Sequence, residues 1–207
     1  MNWETAGRRF ARFATDVAVR YPGAWRLLRP LVRFEFDRLA PGWDARRSTE
    51  PSSYEAALER VGPPRRALDL GTGTGRYAIE IARRFPEADV VGADLSEQML
   101  GEAWSNLPDD LRDRVRFERA DASKLPYEDG EFDLVALGNM IPFFDELERV
   151  TAPGGSLLIA FSQGDRTPIY VPFDRLRSEL TSRGFAEFAE ISAGHGIALV
   201  ARKQKPA

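Results

Sequence analysis

Alternating glycines and three aspartates are the residues of this sequence whose types and spacing could bind a ligand. The glycines lie in Leu68-Asp-Leu-Gly-Thr-Gly-Thr-Gly75, where they allow a tight turn and a close approach of the backbone to a ligand. A helix that follows such a turn directs its N–H groups at the same ligand. The pattern is weak by itself, because Gly73-Thr-Gly-Arg-Tyr-Ala78 also satisfies the G-x-G-x-x-A pattern of dinucleotide-binding loops.

The three aspartates narrow the class of ligand. Asp69, two positions before the first glycine, would repel a pyrophosphate but could attract a cation, directly or through water. Asp94 lies 19 residues after Gly75, where a carboxylate can accept hydrogen bonds from both ribose hydroxyls. Asp121 could accept a hydrogen bond from the exocyclic amine of adenine. Together they predict a pocket for an adenosine without phosphates that carries a positive group, a description that S-adenosylmethionine fits.

The hydrophobic pattern after residue 53 predicts the elements that must position these residues. Short apolar runs, typical of strands, alternate with segments of helical periodicity. The predicted strands are 66–70, 89–94, 115–118, 132–137, 156–161, 185–191 and 197–202. No helix separates the last two, which predicts an antiparallel pair around Gly194-His195-Gly196. The fold class is therefore an open α/β sheet that begins parallel and ends in a hairpin.

The first part of the chain has a different organisation. Phe10, Phe13, Val17 and Tyr21 recur at helical spacing, and a second helical stretch follows the break at Pro22-Gly23. A polar stretch then divides the chain into a predicted N-terminal helical cap, residues 1–45, and a ligand-binding domain, residues 46–207. We expect the cap to cover the ligand-facing edge of the sheet.

The positive charge of the predicted cap indicates an alternative role for it. Residues 1–40 contain eight arginines and four acidic residues, a net charge of +4, whereas the rest of the chain carries −7. Weak contact of these basic helices with a membrane surface is therefore the alternative.

Composition excludes several classes of protein. The chain of 207 residues has no cysteine and one histidine, which excludes thiolate and multi-histidine metal centres, so no metal site is predicted. A net charge of −3 argues against a nucleic-acid partner. No apolar run reaches the roughly 18 residues of a membrane span, and the N-terminus lacks an apolar signal core. We therefore expect a cytoplasmic protein; no pattern indicates its oligomeric state.

Five motifs, in order and at the right spacing, resemble those of the class I S-adenosylmethionine-dependent methyltransferases. The resemblance covers about residues 36–203. The motifs lie at residues 68–75, 91–100, 121–122, 132–139 and 146–155. The resemblance implies a doubly wound, Rossmann-like sheet of seven strands whose last strand is antiparallel and inserted beside the fifth. The run Phe36-Asp-Arg-Leu-Ala-Pro-Gly-Trp-Asp44 resembles the stretch before the first motif in small-molecule and quinone C-methyltransferases.

The same resemblance implies the cofactor-binding residues. It assigns Asp94 to the ribose, Leu95 and Met99 to the adenine, and Gly138-Asn139 to the turn beside the methionine tail. The complete predicted set is Asp69, Gly71, Thr72, Gly73, Gly75, Asp94, Leu95, Met99, Asp121, Ala122, Gly138 and Asn139.

The acceptor side departs from the family pattern. The segment between Asp133 and Pro153 is several residues shorter than in those relatives and lacks their histidine-containing stretch. His195, between two glycines, is a turn residue or, alternatively, a base; no other catalytic residue is predicted. We expect transfer of a methyl group to a small-molecule acceptor through an oxygen, carbon or nitrogen nucleophile. The alternatives are a non-catalytic binding module and a nicotinamide-dependent oxidoreductase. The carboxylate of Asp69 argues against the oxidoreductase alone.

Overall fold

The computed structural model describes residues 3–44 and 52–205. Two helices, α1 (Trp3–Arg20) and α2 (Trp25–Leu39), form its N-terminal part, joined by a turn of 3-10 helix at Pro22–Ala24. No described helix is both long enough and apolar enough to cross a membrane. The predicted domain boundary at residues 45 and 46 falls among residues 45–51, outside the described part, so this division stays a prediction.

Seven strands make one mixed sheet with the order β3-β2-β1-β4-β5-β7-β6. Their bounds are β1 Arg66–Leu70, β2 Asp89–Asp94, β3 Val115–Arg119, β4 Phe132–Gly138, β5 Thr151–Phe161, β6 Phe185–Ala193 and β7 Gly196–Lys203. The first five strands pair in parallel, and β7 pairs antiparallel with both β5 and β6. The predicted fold, with its hairpin strand inserted beside the fifth strand, is confirmed.

Five further helices cover the two faces of the sheet. They are α3 Ser53–Leu58, α4 Arg76–Arg84, α5 Glu97–Asn106, α6 Phe144–Val150 and α7 Phe173–Thr181. Helices α3, α4 and α5 pack on one face, and α6, α7 and the N-terminal helices pack on the other. Because both faces are covered, central strands such as β4 are apolar at almost every position.

Local signals explain where several elements begin. The side chain of Ser96 accepts a hydrogen bond from the backbone N–H of Met99 and caps α5 as its sequence position predicts. Strand β5 begins at Thr151, five residues before the predicted start, because Thr151 pairs with Phe132 ahead of a register shift. Tertiary pairing rather than local pattern therefore sets that boundary.

The N-terminal helices lie across the edge of the sheet where the parallel strands end. On α1, the guanidinium of Arg12 donates hydrogen bonds to the carbonyls of Asp165, Thr167 and Tyr170, in the segment after β5. On α2, Asp37 accepts a hydrogen bond from the Ser96 hydroxyl after β2. The predicted cap therefore spans this edge from the β5 side to the β2 side.

Candidate functional site

The glycine turn after β1 is held in a backbone conformation that few other residues adopt. Gly71, Gly73 and Gly75 have φ of +73°, +55° and +83°, in the left-handed region that favours glycine. The N–H groups of Gly71 and Thr72 donate to the carbonyl of Ala93, at 2.8 and 3.0 Å, and tie the turn to β2. The turn thus brings backbone to the edge of the sheet directly before α4.

Asp69 lies buried beneath this turn, with an exposed fraction of 1%. Its two carboxylate oxygens accept hydrogen bonds from the Thr72 hydroxyl at 2.6 Å and the Tyr54 hydroxyl at 3.2 Å. Burial raises the pKa of Asp69 to about 6, although both hydrogen bonds act in the opposite direction. A carboxyl group that is mostly ionised at neutral pH therefore lies below the glycines.

Asp94 ends β2 and faces the same turn. One carboxylate oxygen accepts the N–H of Gly73 and the other accepts the N–H of Ser96, both at 2.9 Å. Burial raises the pKa of Asp94, against the hydrogen bonds that favour its charged form. Each oxygen has a second lone pair available to a ribose hydroxyl. Met99 is buried, with its Sδ 4.0 Å from the position a Cβ on Gly73 would occupy.

Asp121, after β3, accepts hydrogen bonds from side chains of α2. Its Oδ1 accepts hydrogen bonds from Trp25 Nε1 at 2.9 Å and from the N–H and hydroxyl of Ser123, and its Oδ2 accepts from Arg29 at 2.7 Å. Burial would raise the pKa of Asp121, but the hydrogen bonds from Arg29, Ser123 and Trp25 outweigh it and hold that pKa low. An adenine amine at the predicted position would therefore share Oδ2 with Arg29. The neighbouring Ala122 is buried in the core.

A cavity of about 630 Å³ lies between α2 and the ends of β2 and β3. Such a volume is within the range of small-molecule sites. The sheet side contributes four lining residues, two of which, Leu95 and Asp121, were predicted to bind the cofactor, and α2 contributes the opposite wall. The lining residues are Leu95, Arg119, Ala120 and Asp121 from the sheet side, and Arg29, Pro30, Arg33, Phe34 and Asp37 from α2.

Gly138 and Asn139, at the end of β4, lie on the other side of the glycine turn. A Cβ on Gly138 would collide with the ring of Tyr77. Asn139 has a φ of +53°, and its amide exchanges hydrogen bonds of 2.9 and 3.0 Å with Ser162. The next side chain, Met140, lies against Gly71, its Sδ 2.8 Å from the position a Cβ there would occupy. The flexible Met140 thus occupies the space beside the turn.

His195 lies in the hairpin turn between β6 and β7, at the same edge of the sheet but away from the aspartates. Its side chain is exposed, and β7 is separated from β1 by β4 and β5. The structure therefore does not bring His195 together with the predicted cofactor residues, and its role as a base stays a prediction. Within residues 3–44 and 52–205, no three acidic or histidine side chains form a group that could hold a metal ion.

Several contacts in the site were not predicted from the sequence. Trp25 and Arg29 donate hydrogen bonds to Asp121, which lies more than 90 positions further along the chain. No local sequence pattern predicts such a contact. Asp37 accepts from the Ser96 hydroxyl at 2.5 Å, and Asp44 accepts from the Thr74 hydroxyl at 2.7 Å. Both of these acids belong to the motif of residues 36–44, so that motif was the available signal.

The geometry of the sheet and of the glycine turn defines the class of protein. Carboxylates and a glycine turn meet where the strand order reverses between β1 and β4, the position at which open α/β sheets bind their ligands. The structure is thus that of a Rossmann-like protein with a site suited to a nucleoside. Residues 67–155 match the family model described as a methyltransferase domain.

Curated relatives agree with that match. A demethylmenaquinone methyltransferase of Thermus thermophilus is 42% identical over 115 residues, covering 52% of this chain and 50% of the relative. The same enzyme of Deinococcus radiodurans is 34% identical over 160 residues, covering 74% and 60%. A malonyl-[acyl-carrier protein] O-methyltransferase of Halorhodospira halophila is 36% identical over 143 residues, covering 64% and 48%. The chain thus spans between about half and 60% of the length of these relatives.

Solved structures share the fold at lower identity. A putative methyltransferase in complex with the Trm112 activator of Haloferax volcanii has a TM-score of 0.66 at 21% identity, covering 85% of this chain and 99% of that one. The [4+2]-cyclase SpnF has a TM-score of 0.64 at 18% identity, covering 84% and 96%. The domain match over residues 67–155 and the relatives support a class I S-adenosylmethionine-dependent methyltransferase, and the chain shares the fold of solved methyltransferases.

Proposed function

We propose that this protein transfers a methyl group from S-adenosylmethionine to a small-molecule acceptor. The observation that carries the proposal is the pair of carboxylates at the glycine turn: Asp69 buried beneath it, and Asp94 bonded to the N–H of Gly73. A dinucleotide would place its pyrophosphate at this turn, above the negative Asp69, whereas Asp94 would suit the ribose of either ligand. A nucleoside that carries a positive centre is attracted to the same place.

The residues of the turn and the cavity fit such a cofactor. The left-handed glycines let backbone approach the ligand, Asp94 has lone pairs for the ribose hydroxyls, and Leu95 lines the cavity toward Asp121. We assign Asp69 to the positive end of the cofactor, acting through the Thr72 hydroxyl or through water. The other residues predicted to bind the cofactor keep their assignments as part of this proposal.

When bound, S-adenosylmethionine supplies a methyl group that its sulfonium already activates. An acceptor lone pair forms the new bond to the methyl carbon, the carbon–sulfur bond breaks, and its electron pair stays on sulfur. The chain's task is to hold both reactants in line and to exclude water, which can supply about 7–11 kcal/mol. No base is assigned at the site, which suits an acceptor that loses its proton readily to solvent.

The acceptor class follows from this absence of an assigned base and from the relatives' names. The reduced, hydroquinone form of demethylmenaquinone has acidic phenolic hydroxyl groups, and a malonyl group carries a carboxylate that is ionised at neutral pH. We propose a phenol, an enol or a carboxylate as the acceptor, and a cytoplasmic location for the reaction.

Two measurements test the function. Isothermal titration with S-adenosylmethionine should show binding at one site, whereas NADH should show none. Detection of S-adenosylhomocysteine should then show turnover with at least one member of a panel of naphthols, enols and carboxylic acids. Cofactor binding without turnover on the panel would favour a non-catalytic module. Binding of NADH in place of S-adenosylmethionine would contradict the proposal and favour the oxidoreductase.

A further inference from the structure

Large exposed hydrophobic side chains are concentrated on the two N-terminal helices. Among the described side chains there are six, and five of them lie on α1, on α2 or in the link between them. Three form one stripe on α2, at the spacing i, i+4 and i+7: Leu27, Leu31 and Phe34, exposed by 75%, 55% and 62%. Phe13 on α1 and Tyr21 in the link are exposed by 56% and 62%.

This stripe is not the face of α2 that packs on the protein. Trp25 is buried and packs against Phe143, and Leu28 and Val32 are half-buried against the core on the same side. Helix α2 therefore has apolar residues on two sides, one in the core and one in solvent. Contiguous apolar surface of this kind usually marks an interaction site.

Basic side chains are exposed on the same two helices as these apolar residues. Arg9 and Arg20 lie on the same face of α1 as Phe13, together with Asp16, and Arg26 is the exposed neighbour of Leu27 in the chain. None of these three arginines forms an ion pair with a described residue. The N-terminal 40 residues carry +4 and the remainder of the chain −7, so this charge distribution favours an approach to a negative surface with the N-terminal helices first.

We propose that α2, through its exposed stripe and together with the exposed arginines of α1 and α2, docks on the surface of an anionic lipid bilayer. Leucine and phenylalanine side chains would enter the acyl boundary while the arginines meet lipid phosphates, as in amphipathic helices that lie in the plane of a membrane. A second copy of this chain would bring the same arginines against each other, and like charges would oppose that dimer. A nucleic acid would leave the apolar stripe in water.

Vesicle sedimentation tests the docking. The wild-type protein should sediment with vesicles of equal parts phosphatidylcholine and phosphatidylglycerol, and much less with phosphatidylcholine alone or in 0.5 M salt. Leu27→Ser/Leu31→Ser should lower the partition coefficient at least tenfold, because two apolar side chains no longer enter the bilayer. Phe34 is left unchanged since it also lines the cavity.

A charge variant and its matched control complete the experiment. Arg20→Ser/Arg26→Ser should weaken binding to the anionic vesicles, whereas Arg83→Ser/Arg84→Ser, which removes two exposed arginines from the end of α4, should leave it nearly unchanged. Thermal unfolding checks that each variant is folded. Failure of the wild type to bind anionic vesicles would overturn the proposal, as would a dimer in light scattering that Leu27→Ser/Leu31→Ser abolishes. Neither readout depends on methyl transfer, so the test stands apart from the proposed reaction.

Discussion

Ionisation of Asp69 should make cofactor binding depend on pH. Its pKa is raised to about 6 by burial, so the carboxyl group becomes neutral as the pH falls below that value. We expect the affinity for S-adenosylmethionine to fall below pH 6, approaching a tenfold loss per pH unit. Asp69→Asn should bind weakly throughout and lose this dependence. Isothermal titration between pH 5 and 8 measures both.

The raised pKa of Asp69 also affects the free energy of unfolding. Measuring that effect is the control for the binding experiment. A buried carboxyl group with a raised pKa holds its proton more tightly in the folded state than in the unfolded chain. Ionised Asp69 therefore costs folding free energy, and this cost should grow as the pH rises from about 4 to about 6. Urea unfolding of the ligand-free protein should show a steeper loss of stability over this range in the wild type than in Asp69→Asn, in which Asp94 still titrates. Equal slopes would mean that Asp69 titrates normally.

At the scale of elements, the position of α2 determines how accessible the proposed cofactor site is. Arg29 and Trp25 both bind the carboxylate of Asp121, which the sequence assigns to adenine. The Arg29 side chain is 45% exposed, so its ion pair contributes little to folding and can be removed without unfolding the helix. Helix α2 thus supplies one wall of the cavity, and its Arg29 donates to the Asp121 oxygen that we propose for adenine.

Arg29→Gln is expected to tighten binding of S-adenosylmethionine about two- to fivefold, because Asp121 then has an oxygen for the adenine amine. Asp121→Asn should weaken binding by a similar factor, since its oxygen would keep the hydrogen bonds from Trp25 and Ser123 and its NH2 group, at the position of Oδ2, cannot accept. Isothermal titration of the two variants under the same buffer compares them directly. If both variants lost affinity alike, Arg29 would be a positioning residue for Asp121 rather than a competitor.

At the scale of the whole molecule, cofactor binding should raise thermal stability. S-adenosylhomocysteine at a hundred times its Kd stabilises the native state by about 2.7 kcal/mol, which is about 5–10 °C in Tm for a chain of this size. Asp94→Ala removes the proposed ribose contacts and should lose at least tenfold in affinity, so that about half of the shift disappears at the same ligand concentration.

The control for this shift is Asp89→Ala, an exposed carboxylate at the opposite end of the same strand. It should keep the full increase in Tm, because no part of the glycine turn contacts it. An unchanged shift in Asp94→Ala would refute the ribose assignment. An increase in Tm with NADH in the wild type would count against the whole cofactor assignment.

Local patterns in the sequence determined the strands and the glycine turn, whereas the order of the strands in the sheet was implied by the resemblance to the methyltransferase family. Strand and turn signals are local: apolar runs, alternating glycines, and Ser96 as the cap of α5 act through neighbouring residues. The sequence also placed Asp69 and Asp94 at the ends of strands, since strands of a parallel sheet end at one edge.

Only the tertiary structure decided what surrounds those aspartates. Helical spacing identified α2 but not its buried side: Leu27 and Leu31 lie in solvent, while Leu28 and Val32 pack on the core. The contact of Arg29 with Asp121 joins residues 92 positions apart. Such contacts depend on how a helix is oriented on the sheet, a long-range packing choice that no short window of sequence contains.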